Sequence, residues 1–284
     1  NAVAISSVTD GYWIFYEGPS YETTHRDYFR WFTWANEAIA EGDLEAWRGP
    51  REEPEDLGLT LFGSAGVSSL AAPPITGQRV EYPTVRLRRE NLLVFAAEAD
   101  RPVEIVLANM QIGTREEPMV WEVRDPSNQR VATGRGEINA PATVSFTPET
   151  TGIYTLGAVA GSNAWAVESA NVPVGIWTGE PASLFNANSG MYFNVPEGVE
   201  EFSIIVRGVG GETVRLRVLG PDGEEVAACE TTPEQTAATV TIRPGEQAGA
   251  VWSLEAGRAA TGTLEDYSIN LQPPIPMVLS LTPE

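Results

Sequence analysis

Hydrophobic and polar residues alternate with a period of two along most of the chain after residue 75. Two clear examples have their inward positions at Val103, Ile105 and Leu107 and at Phe202, Ile204 and Val206. Turn-forming residues separate such segments at intervals of about eight to twelve residues. Because successive side chains of a strand point to opposite faces, the pattern predicts short antiparallel strands with one face in a core. The sequence therefore predicts a mainly β protein made of β-sandwiches.

The same pattern occurs twice in the chain. Residues 123–132 and 218–227 both carry Val, Pro and a closing Val-Ala at matching positions, 95 residues apart (218 minus 123). Tyr154 and Trp252 match in the same way at a spacing of 98 (252 minus 154). We interpret this as two tandem antiparallel β-sandwich domains. Tyr154 and Trp252 are then predicted to be equivalent residues of the two cores.

The first part of the chain has a different pattern. Tyr12–Tyr16 is an aromatic and β-branched run that ends at Gly18-Pro19, which predicts a buried strand followed by a turn. Apolar residues then recur at helical spacing from Tyr28 to Ile39, before Gly42. A lone strand and one aromatic helix cannot bury their apolar faces by themselves. This strand-helix unit is therefore predicted to complete a sheet supplied by other residues.

These patterns divide the chain into four predicted segments. The segments are a strand-helix unit at 1–43, a Pro-, Gly- and acid-rich wrap or linker at 44–74, β-sandwich 1 at 75–178 and β-sandwich 2 at 179–284. A last apolar run at Met277–Leu281 follows a Pro-rich stretch and is predicted to form an edge strand.

The charge of the chain excludes several classes of partner. Its 284 residues include 39 acidic and 18 basic residues, all of the latter Arg, which gives a formal net charge of −21. Such a chain repels phosphate backbones and anionic lipid, so no nucleic acid is expected as a partner. No apolar run approaches the roughly 20 residues of a membrane helix, and no membrane insertion is expected.

Cysteine and histidine are too scarce for most catalytic and metal sites. Cys229 is the single cysteine, so no disulfide forms within the chain, and its place in an apolar strand predicts a buried small residue. The single histidine, His25, nearly excludes catalytic triads and imidazole metal sites.

Glu17 is the candidate catalytic residue. Glycoside hydrolysis needs two carboxylates on opposite sides of a sugar bond, and Glu17 follows the carboxyl end of a predicted strand. Tyr12, Trp13, Tyr16 and Tyr21 lie nearby in sequence and have rings suited to stacking on sugars, so they are the candidate substrate-binding residues. The alternative is that Glu17 only accepts a hydrogen bond from the following turn. A second carboxylate would have to come from outside this chain.

Two further groups of residues have competing interpretations. The acidic clusters could hold calcium, but they lack the alternating spacing of a calcium loop, so solvated acidic faces are favoured and no metal or other cofactor is predicted. The aromatic residues of the repeats either form a sugar-stacking platform or belong to the cores. They are Trp121, Trp165, Trp177, Trp252, Tyr154, Tyr192 and Tyr267.

Several stretches resemble one group of proteins. They are residues 10–19, 191–198, 211–214, 245–254 and 279–284. Together they resemble the C-terminal region of large secreted bacterial glycoside-hydrolase-like proteins, in which a (β/α)8 barrel is followed by β-sandwich modules. The resemblance implies that residues 1–43 are the last strand and helix of such a barrel. It also implies an extracellular or cell-surface location, and an upstream or separate chain that completes the barrel sheet.

Three hypotheses of function follow. The first is a non-catalytic C-terminal accessory region that braces the catalytic barrel, with polysaccharide as a candidate ligand. The second is a structural subunit of an extracellular layer or filament that self-assembles through β-sandwich and donated-strand contacts. The third is a fragment that contributes Glu17 to an active site completed by another chain.

Overall fold

The computed structural model describes residues 57, 59 and 75–283. The chain divides into two compact units, residues 1–61 and 62–284. In the first unit Leu57 and Leu59 are buried and neither lies in a strand. The predicted strand-helix unit at 1–43 and the rest of the predicted linker lie outside the described residues.

Residues 75–283 form strands joined by short turns, with one 3-10 turn at Gly245–Gln247. The strands are β1 (Val80–Glu81), β2 (Leu87–Arg88), β3 (Asn91–Ala97), β4 (Val103–Met110), β5 (Met119–Arg124), β6 (Arg130–Gly136), β7 (Pro141–Phe146), β8 (Gly152–Val159), β9 (Ala164–Ala170), β10 (Val174–Trp177), β11 (Ala182–Phe185), β12 (Asn188–Val195), β13 (Phe202–Gly208), β14 (Arg215–Leu219), β15 (Glu225–Glu230), β16 (Ala237–Ile242), β17 (Ala250–Gly257), β18 (Asp266–Leu271) and β19 (Val278–Ser280). The predicted all-antiparallel β-sandwich architecture is confirmed for this part of the chain.

The strands form two large sheets, and each sheet runs through both repeats. The first sheet has the order β16-β13-β18-β11-β2-β9-β4-β7, with β1 paired to β9. The second has the order β15-β14-β17-β12-β19-β10-β3-β8-β5-β6. The strands β2 to β10 of repeat 1 correspond in order and pairing to β11 to β19 of repeat 2. The predicted duplication is therefore visible in the topology.

In both sheets the two repeats pair with each other in a way that is related by a pseudo-two-fold axis. Leu87 of β2 pairs with Leu184 of β11, and Gly175 of β10 pairs with Ser280 of β19, all in antiparallel ladders. In each pair the two residues are equivalent members of the repeats. Side chains of both repeats pack into one continuous hydrophobic core between the sheets.

Two buried asparagines join the repeats across this axis. Asn91 at the start of β3 donates to the carbonyl oxygen of Ser183 at 3.0 Å and accepts from the Ser183 amide at 2.8 Å. Its equivalent Asn188 at the start of β12 accepts from the Arg86 amide at 2.7 Å. Buried backbone amides and carbonyls need hydrogen-bond partners. Each asparagine supplies such partners to the backbone of the other repeat, at or next to its short strand.

The hairpin between β14 and β15 is the one that the turn residues predict. Pro221-Asp222-Gly223 closes it, with a hydrogen bond from the Gly223 amide to the Gly220 carbonyl and Gly223 at φ 81. The equivalent turn of repeat 1 uses Asn128 at φ 63, a conformation that asparagine tolerates better than most residues.

The prediction that Met277–Leu281 forms an edge strand is wrong. The strand is β19, which pairs with β10 on one side and β12 on the other, near the middle of the ten-stranded sheet. Leu279 and Leu281 are buried in the core. A three-residue strand is central because it repeats the position of β10. The predicted boundary at residue 178 falls in the connection between β10 and β11.

Candidate functional site

The candidate catalytic and substrate-binding residues of the N-terminal segment lie outside the described residues. These are Glu17, Tyr12, Trp13, Tyr16 and Tyr21. Their roles stay predictions. The side-chain clusters among the described residues lie on the two repeats.

Most aromatic residues of the repeats are in the core. Trp165 is fully buried, and Trp121, Trp177 and Tyr267 are at most 6% exposed. Tyr192 is the exception among the candidates for a sugar-stacking platform, because it is half-buried on the outer face of a sheet. The platform of seven aromatic side chains therefore does not form, and of these seven only Tyr192 is partly exposed.

Tyr154 and Trp252 confirm the prediction that they are equivalent core residues. Tyr154 stacks on Phe95 with ring centroids 5.9 Å apart, and Trp252 packs edge to face on Phe202 at 5.5 Å. The polar group at the end of each side chain donates a hydrogen bond to a backbone carbonyl earlier in the chain. The Tyr154 hydroxyl donates to Thr150 at 2.7 Å, and the Trp252 indole nitrogen donates in the same way. Such partners are what buried Tyr and Trp need.

Several carboxylates in the described part of the chain form hydrogen bonds or ion pairs within the fold. No group of three Asp, Glu, His or Cys side chains among those residues is arranged to hold a metal ion. Glu117 illustrates the alternative use, because it accepts a 2.5 Å hydrogen bond from the Ser162 amide. That bond is the main reason why the pKa of Glu117 lies below its usual value.

A buried ion-pair cluster lies on the outer face of repeat 1. Glu122 of β5 has a side chain 3% exposed and binds Arg124 at 2.6 Å and Arg130 at 2.7 Å. Two arginines on one buried carboxylate offset the cost of removing the charges from water. The cluster is a structural feature of this face.

A second polar cluster lies where the repeats meet. Arg88 of β2 binds Asp266 of β18 at 3.1 Å and lies 5.4 Å from the ring centre of Phe185. The Asp266 amide donates to Glu212 at 2.6 Å. Partial burial raises the pKa of Glu212, and the charge of Asp266 acts in the same direction. The cluster links the two repeats through side chains as well as strands.

Cys229 is a half-buried residue of β15 that packs against the core. Burial raises the pKa of its thiol to about 11. A thiol with so high a pKa is protonated at neutral pH and is a poor nucleophile.

The outer faces of the ten-stranded sheet differ between the repeats. In repeat 1 the outward positions include Val94 and Thr155, each 5% exposed, beside Glu122. In repeat 2 the positions equivalent to Val94 and Glu122 hold Tyr192 and Arg217, which are partly exposed. The face of repeat 2 is thus accessible and polar, whereas that of repeat 1 is largely apolar and buried.

No protein-family model matches the sequence, and no curated protein matches it. Among solved structures, the chain overlaps the M60 catalytic domain with the CBM51-1 and CBM51-2 domains of Clostridium perfringens ZmpB, with 10% identity and a TM-score of 0.22. The overlap covers 72% of this chain and 38% of that one.

Two further solved structures overlap this chain over a similar share of its length. The PBSX exported protein XepA overlaps with 8% identity and a TM-score of 0.25, over 71% of this chain and 89% of that one. The N-terminal CBM22-1-CBM22-2 tandem domain of Paenibacillus barcinonensis Xyn10C overlaps with 8% identity and a TM-score of 0.18, over 66% and 79%. Overlaps at these TM-scores do not establish a shared fold or function. Among the described residues, no helix is long and apolar enough to cross a membrane.

Proposed function

We propose that this chain is an accessory region of a secreted glycoside-hydrolase-like protein and is not catalytic by itself. In this proposal the double β-sandwich braces the catalytic barrel and presents a surface to polysaccharide. The observation that carries it is the fusion of both repeats into two continuous sheets around one core. Movement of one repeat against the other would break the strand pairs that join them, and such a joined pair suits a brace or spacer.

The use of side chains in the repeats supports the same proposal. Aromatic residues that could bind sugar are mostly in the core, and the carboxylates of Glu117, Glu122 and Asp266 are engaged by backbone amides or arginines. A catalytic carboxylate pair needs one acid free to donate a proton and one free to attack or activate water. The sequence resemblance to the C-terminal regions of such secreted proteins supplies the proposed context.

The proposal keeps Glu17 as the residue that this chain contributes to the barrel. Under it, Glu17 acts only when the rest of the barrel is present, with Tyr12, Trp13, Tyr16 and Tyr21 near the sugar. The 284-residue chain alone should then release no reducing sugar from soluble polysaccharides.

The experiment that tests the proposal begins with the intact mass of the native polypeptide from its source. We expect a mass well above the 30.6 kDa of this chain, and hydrolysis of a polysaccharide by the longer protein that Glu17→Gln abolishes. Hydrolysis by the 284-residue chain alone would contradict a non-catalytic role. A native mass of 30.6 kDa with concentration-dependent filaments would instead support the structural-subunit hypothesis.

A further inference from the structure

One face of the molecule has the composition of a saccharide-binding surface. It is the outer face of the ten-stranded sheet in repeat 2, made by strands β14, β17 and β12, and we call it the Tyr192 face. Its outward residues are Tyr192, Asn194, Arg215, Arg217, Leu219, Val251, Ser253 and Glu255, of which Leu219 is nearly buried. The residues that alternate with them along each strand point inward and fill the core. The outward side chains therefore take no part in the packing between the sheets.

We propose that the Tyr192 face binds a neutral polysaccharide. This inference rests on the proposed function and assigns its polysaccharide-binding part to one surface.

Tyr192 is half-buried, and its neighbours on the adjacent strands are small. Its neighbours across the two adjacent strands are Ser253 of β17 and Ser280 of β19, which are too small to cover an aromatic ring. An amphipathic ring on a flat strand face presents an apolar surface to the C–H groups of a sugar.

Hydrogen-bonding groups lie beside the ring. Asn194 is exposed two residues further along β12, and Glu255 of β17 lies two residues from Ser253, the cross-strand neighbour of Tyr192. Because adjacent strands are about 4.8 Å apart, Arg217 on the second strand from Tyr192 lies roughly 10 Å across the sheet. Amide and carboxylate groups beside an aromatic ring, with a guanidinium group further along the sheet, can fix the orientation of a polyhydroxylated ligand.

The charges of the face are balanced, which favours a neutral ligand. Arg217 binds Glu225 at 2.6 Å and Glu255 at 2.5 Å, and Arg215 lies 3.7 Å from Glu225. The hydrogen bond from Arg217 is the main reason why the pKa of Glu225 lies below its usual value, so Glu225 is ionised at neutral pH. In a chain with a net charge of −21, an acidic polysaccharide would be repelled.

The comparison between the repeats is independent support. Duplication began from one sequence, yet the position of Tyr192 is Val94 in repeat 1 and the position of Arg217 is Glu122. Core positions such as Tyr154 and Trp252 stayed aromatic in both copies. The difference is on the outer face, where, among the described residues, repeat 2 has a partly exposed ring at a position that is a buried valine in repeat 1.

Native affinity electrophoresis of the 284-residue chain tests the proposal. Gels contain dextran, xylan or hydroxyethylcellulose as neutral probes and polygalacturonate as an acidic one. We expect at least one neutral polysaccharide to retard the chain and polygalacturonate not to. Tyr192→Ala should weaken retardation by about tenfold, as expected for truncation of an anchoring aromatic residue.

Three further variants make the result specific. Tyr192→Thr removes the ring with a residue that favours strands, and it should weaken retardation as much as Tyr192→Ala. Tyr192→Phe keeps the ring and should retain most of the binding. The matched control is Val131→Ala, which removes an exposed apolar side chain from β6 of repeat 1 and should change nothing.

The outcomes separate this inference from the accessory role. Retardation by no neutral polysaccharide, or wild-type retardation of both Tyr192→Ala and Tyr192→Thr, would overturn the inference. Either result leaves the bracing role to be decided by the native mass and the hydrolysis assay. Circular dichroism of each variant confirms that a lost interaction is not a lost fold.

Discussion

At the scale of single residues, the junction between the repeats depends on buried polar groups. Asn91 and Asn188 are each less than 5% exposed, and both hold the backbone of a short strand in the other repeat. An apolar residue at either position would bury a backbone amide and carbonyl without partners, which costs more than the loss of an exposed hydrogen bond. These asparagines therefore specify how the repeats pair.

We expect Asn91→Ala to lower the free energy of unfolding by about 1 to 3 kcal/mol, because the Ser183 amide and carbonyl lose their buried partner. Urea denaturation followed by circular dichroism measures the change. The control is Asn194→Ala, which removes an exposed asparagine from β12 and should cost less than about 0.5 kcal/mol. Equal effects of the two variants would show that the Asn91 hydrogen bonds do not stabilise the junction.

The ion-pair clusters of the two repeats should differ in strength. Glu122→Gln removes the carboxylate that Arg124 and Arg130 share in a buried setting, and should cost about 3 kcal/mol. Glu255→Gln removes a carboxylate from the Arg217 cluster, where both side chains are more than a third exposed, and should cost less than about 1 kcal/mol. The pair is compared by urea denaturation at one ionic strength. A larger loss of stability from Glu255→Gln than from Glu122→Gln would contradict the burial described for these two carboxylates.

The ionisation of Glu212 should lower the free energy of unfolding as pH rises. Its pKa in the folded state is raised by burial and by the nearby charges of Asp266 and Glu265, although the hydrogen bond from the Asp266 amide and the charge of Arg88 oppose this. The stabilisation is thus complete below the unfolded pKa and is lost as pH rises through the folded pKa. Glu212→Gln keeps an acceptor for the Asp266 amide and removes the charge, so its stability relative to the natural chain should increase between about pH 4 and pH 7. A difference that is constant with pH would contradict this account.

At the scale of strands, two of the shortest strands join the two repeats. β2 and β19 have two and three residues, but they are central strands that carry the pairing between repeats. The β19 residues contribute to the core as well as to the ladders, since Leu279 is fully buried. Loss of such a strand would expose the edges of both neighbours.

Leu279→Ala should lower the free energy of unfolding by about 2 to 5 kcal/mol, because it leaves a cavity in the continuous core. Val278→Ala changes the preceding residue of the same strand, which is only half-buried, and should cost less than about 1.5 kcal/mol. Differential scanning calorimetry measures both. A cost for Val278→Ala as great as that for Leu279→Ala would mean that β19 does not pack as described.

The sequence predicts the strands whose residues repeat a local pattern and fails where distant residues decide. The alternation at Phe202, Ile204 and Val206 and the turn at 221–223 need only neighbouring residues, and both are confirmed. The central place of β19 depends on β10, about a hundred residues away, so local pattern could not predict it. The same holds for the site. Tyr192 is visible as a candidate in the sequence, but only its position on the sheet separates it from the buried aromatic residues.

At the scale of the whole molecule, residues 75–283 should unfold as one unit. Sheets and core both continue through the junction, so neither repeat can lose its structure without exposing the edge and core of the other. We expect near-ultraviolet and far-ultraviolet circular dichroism to report the same urea midpoint for these residues. Two separated transitions within them would show that the repeats are independent domains.

The pairing of each junction residue with its own equivalent has a consequence for the origin of the molecule. A contact in which Leu87 meets Leu184, and Gly175 meets Ser280, is isologous, the type of contact found between the subunits of a symmetric dimer. A single ancestral sandwich would have had the same edges available for a second copy of itself. Fusion of the two genes would then have made a concentration-dependent dimer into a permanent one, and would have freed one copy's outer surface to diverge.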